Sequence, residues 1–343
     1  MEKGQHRYII RHAGRYGYCN EDGEVIVAPQ YLAAEDYQEN MTLVELIDRW
    51  VPLDWLGRPL LKQLFREIFP YHNGRARVQL ASNWGFIDTA GEMVIPCRYE
   101  QANDFHEGLA PVQEDDRYGY VDTDGRIAID FLFDLALPFV EGRAPARLGQ
   151  RFGYLEPSGQ WILDPDKDLC LPWMGTVGVF VENGQWGLVN REGQVVLSPR
   201  YSWDPQQPPF FSEDLTVLSR DGFAGYLKAN GQWLAPPRYS GAKPFRDGYA
   251  RVRHDGQWGF LNRDGQEAIP CRFTDLLDFQ QGLAPAREGD HWGYLTPGGE
   301  WQITPVFQQA SPFQGPLARV VTAEGHWQYI QADGTVVWRE RVH

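Results

Sequence analysis

Apolar positions along this chain fall in short alternating runs, broken by glycine and proline, with no sustained 3.6-residue beat. The run Trp84-Gly85-Phe86-Ile87 shows the logic. Residues two apart share a strand face, so Trp84 and Phe86 point one way and Ile87 the other. A strand apolar on both sides is a sandwiched, central one. The same run returns at Tyr16-Gly17, Tyr118-Gly119, Phe152-Gly153, Trp186-Gly187, Trp258-Gly259 and Trp292-Gly293, with Trp50, Ala224 and Trp327 as degenerate anchors. Successive anchors are 34, 34, 34, 34, 34, 38, 34, 34 and 35 residues apart. Ten copies on one ruler describe a single supersecondary unit repeated down the chain, with no stretch left over for a separate catalytic domain.

Each copy carries further fixed positions. A glycine stands seven residues after every anchor: Gly23, Gly57, Gly91, Gly125, Gly159, Gly193, Gly231, Gly265, Gly299 and Gly334. Often preceded by Asp or Asn, it predicts a hairpin turn with positive φ. A second apolar run follows and ends near a proline such as Pro96, Pro199 or Pro270, where ladder pairing stops or the strand lies at an edge. Then come two aromatic rows, exemplified by Tyr99 and Phe105, a turn usually holding glycine, and a strand with a small residue such as Ala76, Ala110, Ala144 or Gly178. The unit reads as a three-stranded antiparallel meander joined to the next by a linker. A helical-repeat reading of the same period fails, because two glycines and a proline interrupt every candidate helix at roughly 1 and 3 kcal/mol each. One helical pattern survives, at Leu60, Leu61, Leu64, Phe65, Ile68 and Phe69, and predicts a short helix; a helical turn is expected over Tyr99–Phe105.

The fold class is therefore all-β, a tandem array of about ten meanders over residues 1–343. An open, curved or superhelical array with two exposed end units is expected, since the last copy lacks a linker strand to latch onto the first; a closed propeller-like ring is the alternative. A hydrophobic fraction of 43% with 14% aromatics is enough for a packed interior and excludes disorder. The net charge of −14 argues against nucleic acid and anionic membranes and favours a basic or neutral protein partner. Cys19, Cys97, Cys170 and Cys271 have neither metal spacing nor a disulfide framework. The charged start and the lack of 18 consecutive apolar residues lead to the expectation of a cytoplasmic, monomeric protein with no signal peptide or membrane span.

Candidate chemistry is sparse. Asp122-x-Asp124-Gly125 and Asn262-x-Asp264-Gly265 imitate the start of a calcium loop but lack its remaining ligands, so they read as hairpin turns. No histidine pair has helical metal-ligand spacing, and no nucleophile elbow occurs; His291 and His326 precede neighbouring anchors and are placed to stack. No cofactor, metal or catalytic residue is expected. Binding candidates are residues outside the aromatic rows. Trp161, Trp233 and Trp301 share one site in the second strand, and Trp55, Trp203 and Trp338 are further off-pattern aromatics. Arg98, Arg200, Arg238 and Arg272 each precede the linker aromatic, most simply as salt-bridge partners of a neighbouring repeat. The four-residue insertion in repeat 6 brings Trp203, Asp204, Gln206, Gln207 and Phe210 into one loop, where a binding face is expected.

Trp84 to Val112 and Trp258 to Ala286 follow the series Trp-Gly-aromatic-aliphatic-(Asp/Asn)-x-x-Gly, Val-Ile-x-Pro-x-(Tyr/Phe), Phe-x-Glu-Gly-Leu-Ala-x-Val. This resembles the bacterial WG repeat family over almost the whole chain. Repeats 1, 2 and 5 depart most, with Trp50-Val51-Pro52 losing the glycine and aromatic and Lys167 replacing an aromatic. The resemblance implies a structural repeat that mediates interactions and carries over no catalytic residue. The expected function is a non-catalytic protein-binding scaffold, in a narrower form an inhibitor or immunity protein against a basic partner. The alternatives are a carbohydrate- or surface-ligand-binding module and, third, a cryptic hydrolase. Departures from the rule mark where function is sought: the insertion, the helix-like stretch in repeat 2 and the anchor lost at Ala224.

Overall fold

A computed structural model of the chain describes residues 6–47, 49–60 and 65–340. Among these residues every regular element is a β-strand, and the strands form ten antiparallel sheets, eight of four strands and two of three. One sheet runs Gln101–Ala102, Leu109–Glu114, Arg117–Asp122 and Ile127–Phe133, in that spatial order. Its three long strands are the meander expected from the periodicity. The short fourth strand was not readable, because a two-residue pairing (Gln101↔Gln113, Ala102↔Val112) leaves no alternation in the sequence.

The chain divides into two compact units of five sheets each, one spanning 31–208, the other joining 1–30 to 209–343. Within the second unit the first sheet packs on the last. Tyr8, Ile10, Cys19, Leu317 and Tyr329 share one apolar cluster. Tyr8 Oη donates to the Gln314 carbonyl at 2.8 Å, and Tyr329 Oη to the Ile9 carbonyl at 2.7 Å. Arg11 forks onto Glu340 at 3.0 and 3.2 Å. Burial works against the Glu340 charge, but the hydrogen bonds from Arg11 and the Trp327 N–H hold its carboxyl below the usual range. The open array with exposed end sheets is thus corrected. Side-chain complementarity mates the two sheets without any latch strand, as the propeller-like alternative requires.

The described part of the expected helix is not helical. Leu61 and Leu64 lie outside the described residues, while Glu67–His72 is a strand paired with Arg75–Leu80. Tyr99 to Phe105 holds no helical turn; it is a strand end, a bend and the two-residue strand Gln101–Ala102. In both places alternation across a sheet wins over a local apolar spacing that also fits a helix.

The aromatic-glycine dipeptide has a specific cause. Opposite it, the third strand bulges: Tyr99 pairs with Trp84 and Ile95 with Phe86, four residues against two, around Pro96. The strand bows there and turns the Ile95 carbonyl onto Gly85; proline, which has no N–H for the ladder, suits the bulge but is not required, since the Ile127–Phe133 strand bulges the same way without one. A Cβ on Gly85 would lie 2.4 Å from that oxygen. The second glycine is equally constrained, with φ between 77° and 87° at all ten positions. Three residues before it, in six of the ten copies, an Asp or Asn side chain accepts from two turn amides; Asp122 Oδ1 takes the N–H of Asp124 and of Arg126, both at 2.9 Å. The calcium-like motif is therefore a hairpin turn.

In four sheets a tyrosine two residues after the anchor also holds the linker. Tyr120, Tyr154, Tyr226 and Tyr294 are fully buried, and their hydroxyls donate to the carbonyls of Leu137, Leu171, Lys243 and Ser311 at 2.7–2.8 Å. Burial raises these phenol pKa values, so they remain donors. Phe86 and Phe260 have no hydroxyl. In those sheets the cross-strand residue is an arginine, which donates to the linker carbonyl one place earlier: Arg77 Nη1 to Ala102 at 2.5 Å and Arg251 Nη1 to Leu276 at 2.7 Å. Asp104 and Asp278 neutralise the two arginines. Tyr120→Phe should strip the Leu137 carbonyl of its donor and cost about 1–3 kcal/mol. Hydrogen exchange in the Gln101–Phe133 sheet reads this, and protection unchanged from the parent protein would refute the role.

Candidate interaction surface

The third strand lies at the edge of its sheet, so its outward side chains meet solvent. Among the described residues the position preceding the linker aromatic is exposed in every copy: it is arginine at Arg98, Arg200, Arg238 and Arg272, aliphatic at Leu132 and Val306, and Gln30 and Asp166 in two others. Leu132 and Val306 are 58% and 53% exposed. The arginines lie over the ring that follows them, at 4.9 Å for Arg98 on Tyr99, 5.7 Å for Arg200 on Tyr201, 5.0 Å for Arg238 on Tyr239 and 4.9 Å for Arg272 on Phe273. Arg98 and Arg238 also donate to their tyrosine hydroxyls at 2.8 and 2.7 Å. The expected bridge to a neighbouring repeat appears loosely at Arg98, 3.9 Å from Glu114; Arg272 instead reaches the Gly299 carbonyl at 3.3 Å. Ring stacking pre-orders these guanidinium groups while leaving them in water. The start of the same strand adds exposed apolar residues, Val25 and Ile26 in one sheet, Ile127 in another and Val195 and Val196 in a third. Proline within most of these strands hinders strand addition at the edge, although the Ile127–Phe133 strand that carries Leu132 has none.

The tryptophan row is half-buried. Trp161 meets Phe133 of the preceding sheet edge-on, with centroids 5.7 Å apart, and Trp301 meets Phe273 likewise at 5.8 Å. These rings wedge neighbouring sheets together. Trp233, in the same register, is half-buried and pairs with Leu227 across the strands. The insertion forms a turn in which Asp204 accepts from the Gln206 N–H at 2.9 Å, with Asp204, Gln206 and Gln207 exposed. Trp203 is half-buried and held by its own N–H on the Gly184 carbonyl. Phe210 is 53% exposed and belongs to the next unit. At the lost anchor, Ala224 is buried while its neighbour Phe223 is 50% exposed.

No group of three or more His, Cys, Asp or Glu side chains is placed to hold a metal among the described residues, and all four cysteines are free thiols. Burial pushes the Cys19 thiol up to about 12, which removes it from thiolate chemistry. His291 and His326 make no ring contact among the described residues; the stacked pair is His72 and His106, 5.6 Å apart. This exposed edge position was visible in the sequence only at its arginine copies, because Leu132 and Val306, like Gln30 and Asp166, break the arginine row.

A family model described as WG containing repeat matches residues 16–50, 84–118, 118–151, 186–203, 225–258, 258–290 and 292–324, more than half of the chain. Among solved structures, one described as the crystal structure of the eukaryotic initiation factor is 8% identical, with a TM-score of 0.55 over 89% of this chain and 96% of that one; the likeness is one of fold. The computationally designed Ika8 protein (13% identity, TM-score 0.40, 79% and 98% covered) and BamB from Moraxella catarrhalis (14%, 0.36, 71% and 87%) are more distant in shape. No curated protein matches the chain.

Proposed function

We propose that this chain, which belongs to the WG-containing repeat family, is a non-catalytic scaffold that binds a protein along the outer strands of its sheets. One observation carries the reading: in six of its eight described copies the same edge position presents either an exposed aliphatic side chain or an arginine pre-ordered on a ring, Gln30 and Asp166 being the exceptions. Repetition of one contact chemistry across stacked sheets suits an extended partner, and exposed apolar residues next to cations are the composition of interface cores. The net charge of −14 favours a basic or neutral partner for the chain as a whole. The narrower form of the reading is inhibition of such a partner, as an immunity protein inhibits a basic toxin. A glycan-stacking function draws less support, because Trp161 and Trp301 spend their rings on neighbouring sheets.

The test is capture from a bacterial lysate at physiological salt by the parent protein and by Leu132→Asp and Val306→Asp. Both positions are solvent-facing, so the variants should melt like the parent protein. Each should lower capture at least tenfold, since a charge opposed to an apolar partner surface costs ~1.4 kcal/mol or more. No partner at physiological salt, or equal capture by all three proteins, defeats the proposal.

A further inference from the structure

At one end of the sheets, linker and small-residue strand are joined by a tight two-residue turn. In several copies both residues are left-handed: φ is 52° and 82° at Glu107 and Gly108, and 54° and 77° at Gln281 and Gly282. Successive backbone N–H groups in such turns face the same way and make a cradle for an anion. The chain fills several cradles itself. The Glu39 carboxylate accepts from the N–H of Asn73 and of Gly74, both at 2.6 Å. Glu107 accepts from Glu141 and Gly142 at 2.6 and 2.8 Å, and Glu213 from Gly248 at 3.2 Å. A shorter side chain covers less: Asn73 reaches Gly108 alone, at 2.9 Å. Each occupant comes from the turn of the preceding sheet.

The ladder lapses at Gln281 and Gly282. The preceding turn offers Asp247, one methylene shorter than glutamate, and among the described residues nothing accepts from either N–H. A cavity of about 670 Å³ opens there, with Asp247, Gln281 and Gly282 on its polar side and Phe279, Phe313 and His6 completing the wall. Phe279 and Phe313 are each only 2% exposed, and the half-buried Tyr249 and exposed Pro297 supply the accessible apolar wall.

We propose that this cavity binds a carboxylate carried on a short apolar arm, seated on the N–H groups of Gln281 and Gly282 as Glu107 is seated on the following turn. The arm lies against Tyr249 and Pro297. The same chemistry is presented by a free small acid and by a glutamate side chain of a partner segment. Asp247 opposes the ligand's charge from the rim. The site is separate from the outer strands and does not depend on the reading given for them.

The test is an amide NMR titration of the deuterated full chain, with butyrate in one arm and N-acetylglutamate methylamide in the other. Saturable shifts of the Gln281 and Gly282 amides are expected. Tighter binding of butyrate assigns the free acid, and tighter binding of the blocked glutamate assigns the partner segment. Asp247→Ala should tighten binding by removing the opposing charge. Asp247→Glu should abolish it, because the longer side chain fills the cradle from within. Unmoved amides in both arms overturn the proposal, as does an Asp247→Glu variant that titrates like the parent protein.

Discussion

Alanine at Gly85 is expected to destabilise its sheet by about 3 kcal/mol or more, at or beyond the top of the usual range for overpacking. The added Cβ would lie 2.4 Å from the Ile95 oxygen, 2.7 Å from the Cys97 nitrogen and 2.8 Å from the Pro96 carbonyl carbon. All three are backbone atoms, so no side-chain rotation relieves the clash, and the third strand must move away. That strand also supplies the buried Ile95 and Tyr99 to the core, so moving it loosens the packing on both. Gly74 makes the contrast. A Cβ there meets nothing within 4 Å, and the cost is only that of a left-handed alanine at φ +72°, about 1–2 kcal/mol. With two compact units, a global denaturation curve need not be a single transition. Hydrogen exchange of amides in the Glu67–Tyr99 sheet isolates the effect. Equal loss of protection in Gly85→Ala and Gly74→Ala would show that close approach of the bulged strand is not what fixes this glycine.

Repetition made much of this architecture legible. Ten samples of one environment separate what the unit requires from what one copy tolerates, so the hairpin glycine, the buried small residue and the central strand could be read from residue type alone. The mating of the first and last sheets could not. It rests on how Tyr8, Leu317 and Tyr329 fit one another, and no spacing encodes fit. Trp161 and Trp301 failed for a related reason: a ring outside the repeated rows reads as free surface until the neighbouring sheet is in place against it. Compensating changes lay in plain view, spread along the chain. Trp173 stands where most copies have phenylalanine, and Gly178 stands where most have alanine. A Cβ on Gly178 would come within 2.6 Å of the Trp173 ring, so the larger ring is admitted by the smaller partner.

Arg77 carries the other prediction of large effect. Arg77→Met should cost about 2–3 kcal/mol, between the roughly 1 kcal/mol of an exposed pair and the about 3–5 kcal/mol of a fully buried one. The guanidinium is 14% exposed and Asp104 25%, with Nε 3.1 Å from the carboxylate. It also donates to the Ala102 carbonyl and covers the Phe69 and Trp84 rings at 4.0 and 4.9 Å. Methionine retains apolar cover on the rings but strands the Asp104 charge and leaves the linker carbonyl without its donor. Most of the loss should therefore come from the uncompensated carboxylate, and Asp104→Asn in the Arg77→Met background should recover part of it. Fuller recovery is expected from the solution used elsewhere in the chain. Sheets with Tyr154 and Tyr294 place Pro145 and Pro285 across from the tyrosine and Pro172 and Pro312 in the linker, where Phe86 is met by Arg77 and Asp104. The triple replacement Phe86→Tyr, Arg77→Pro, Asp104→Pro installs that alternative whole. It should exceed Arg77→Met in stability, measured by exchange in the Gln101–Phe133 and Glu67–Tyr99 sheets. If Arg77→Met alone stays within roughly 1 kcal/mol of the parent protein, the value of an exposed pair, the arginine does not hold the linker. The tyrosine and arginine copies would then differ by drift and not by exchange of one linker donor for another.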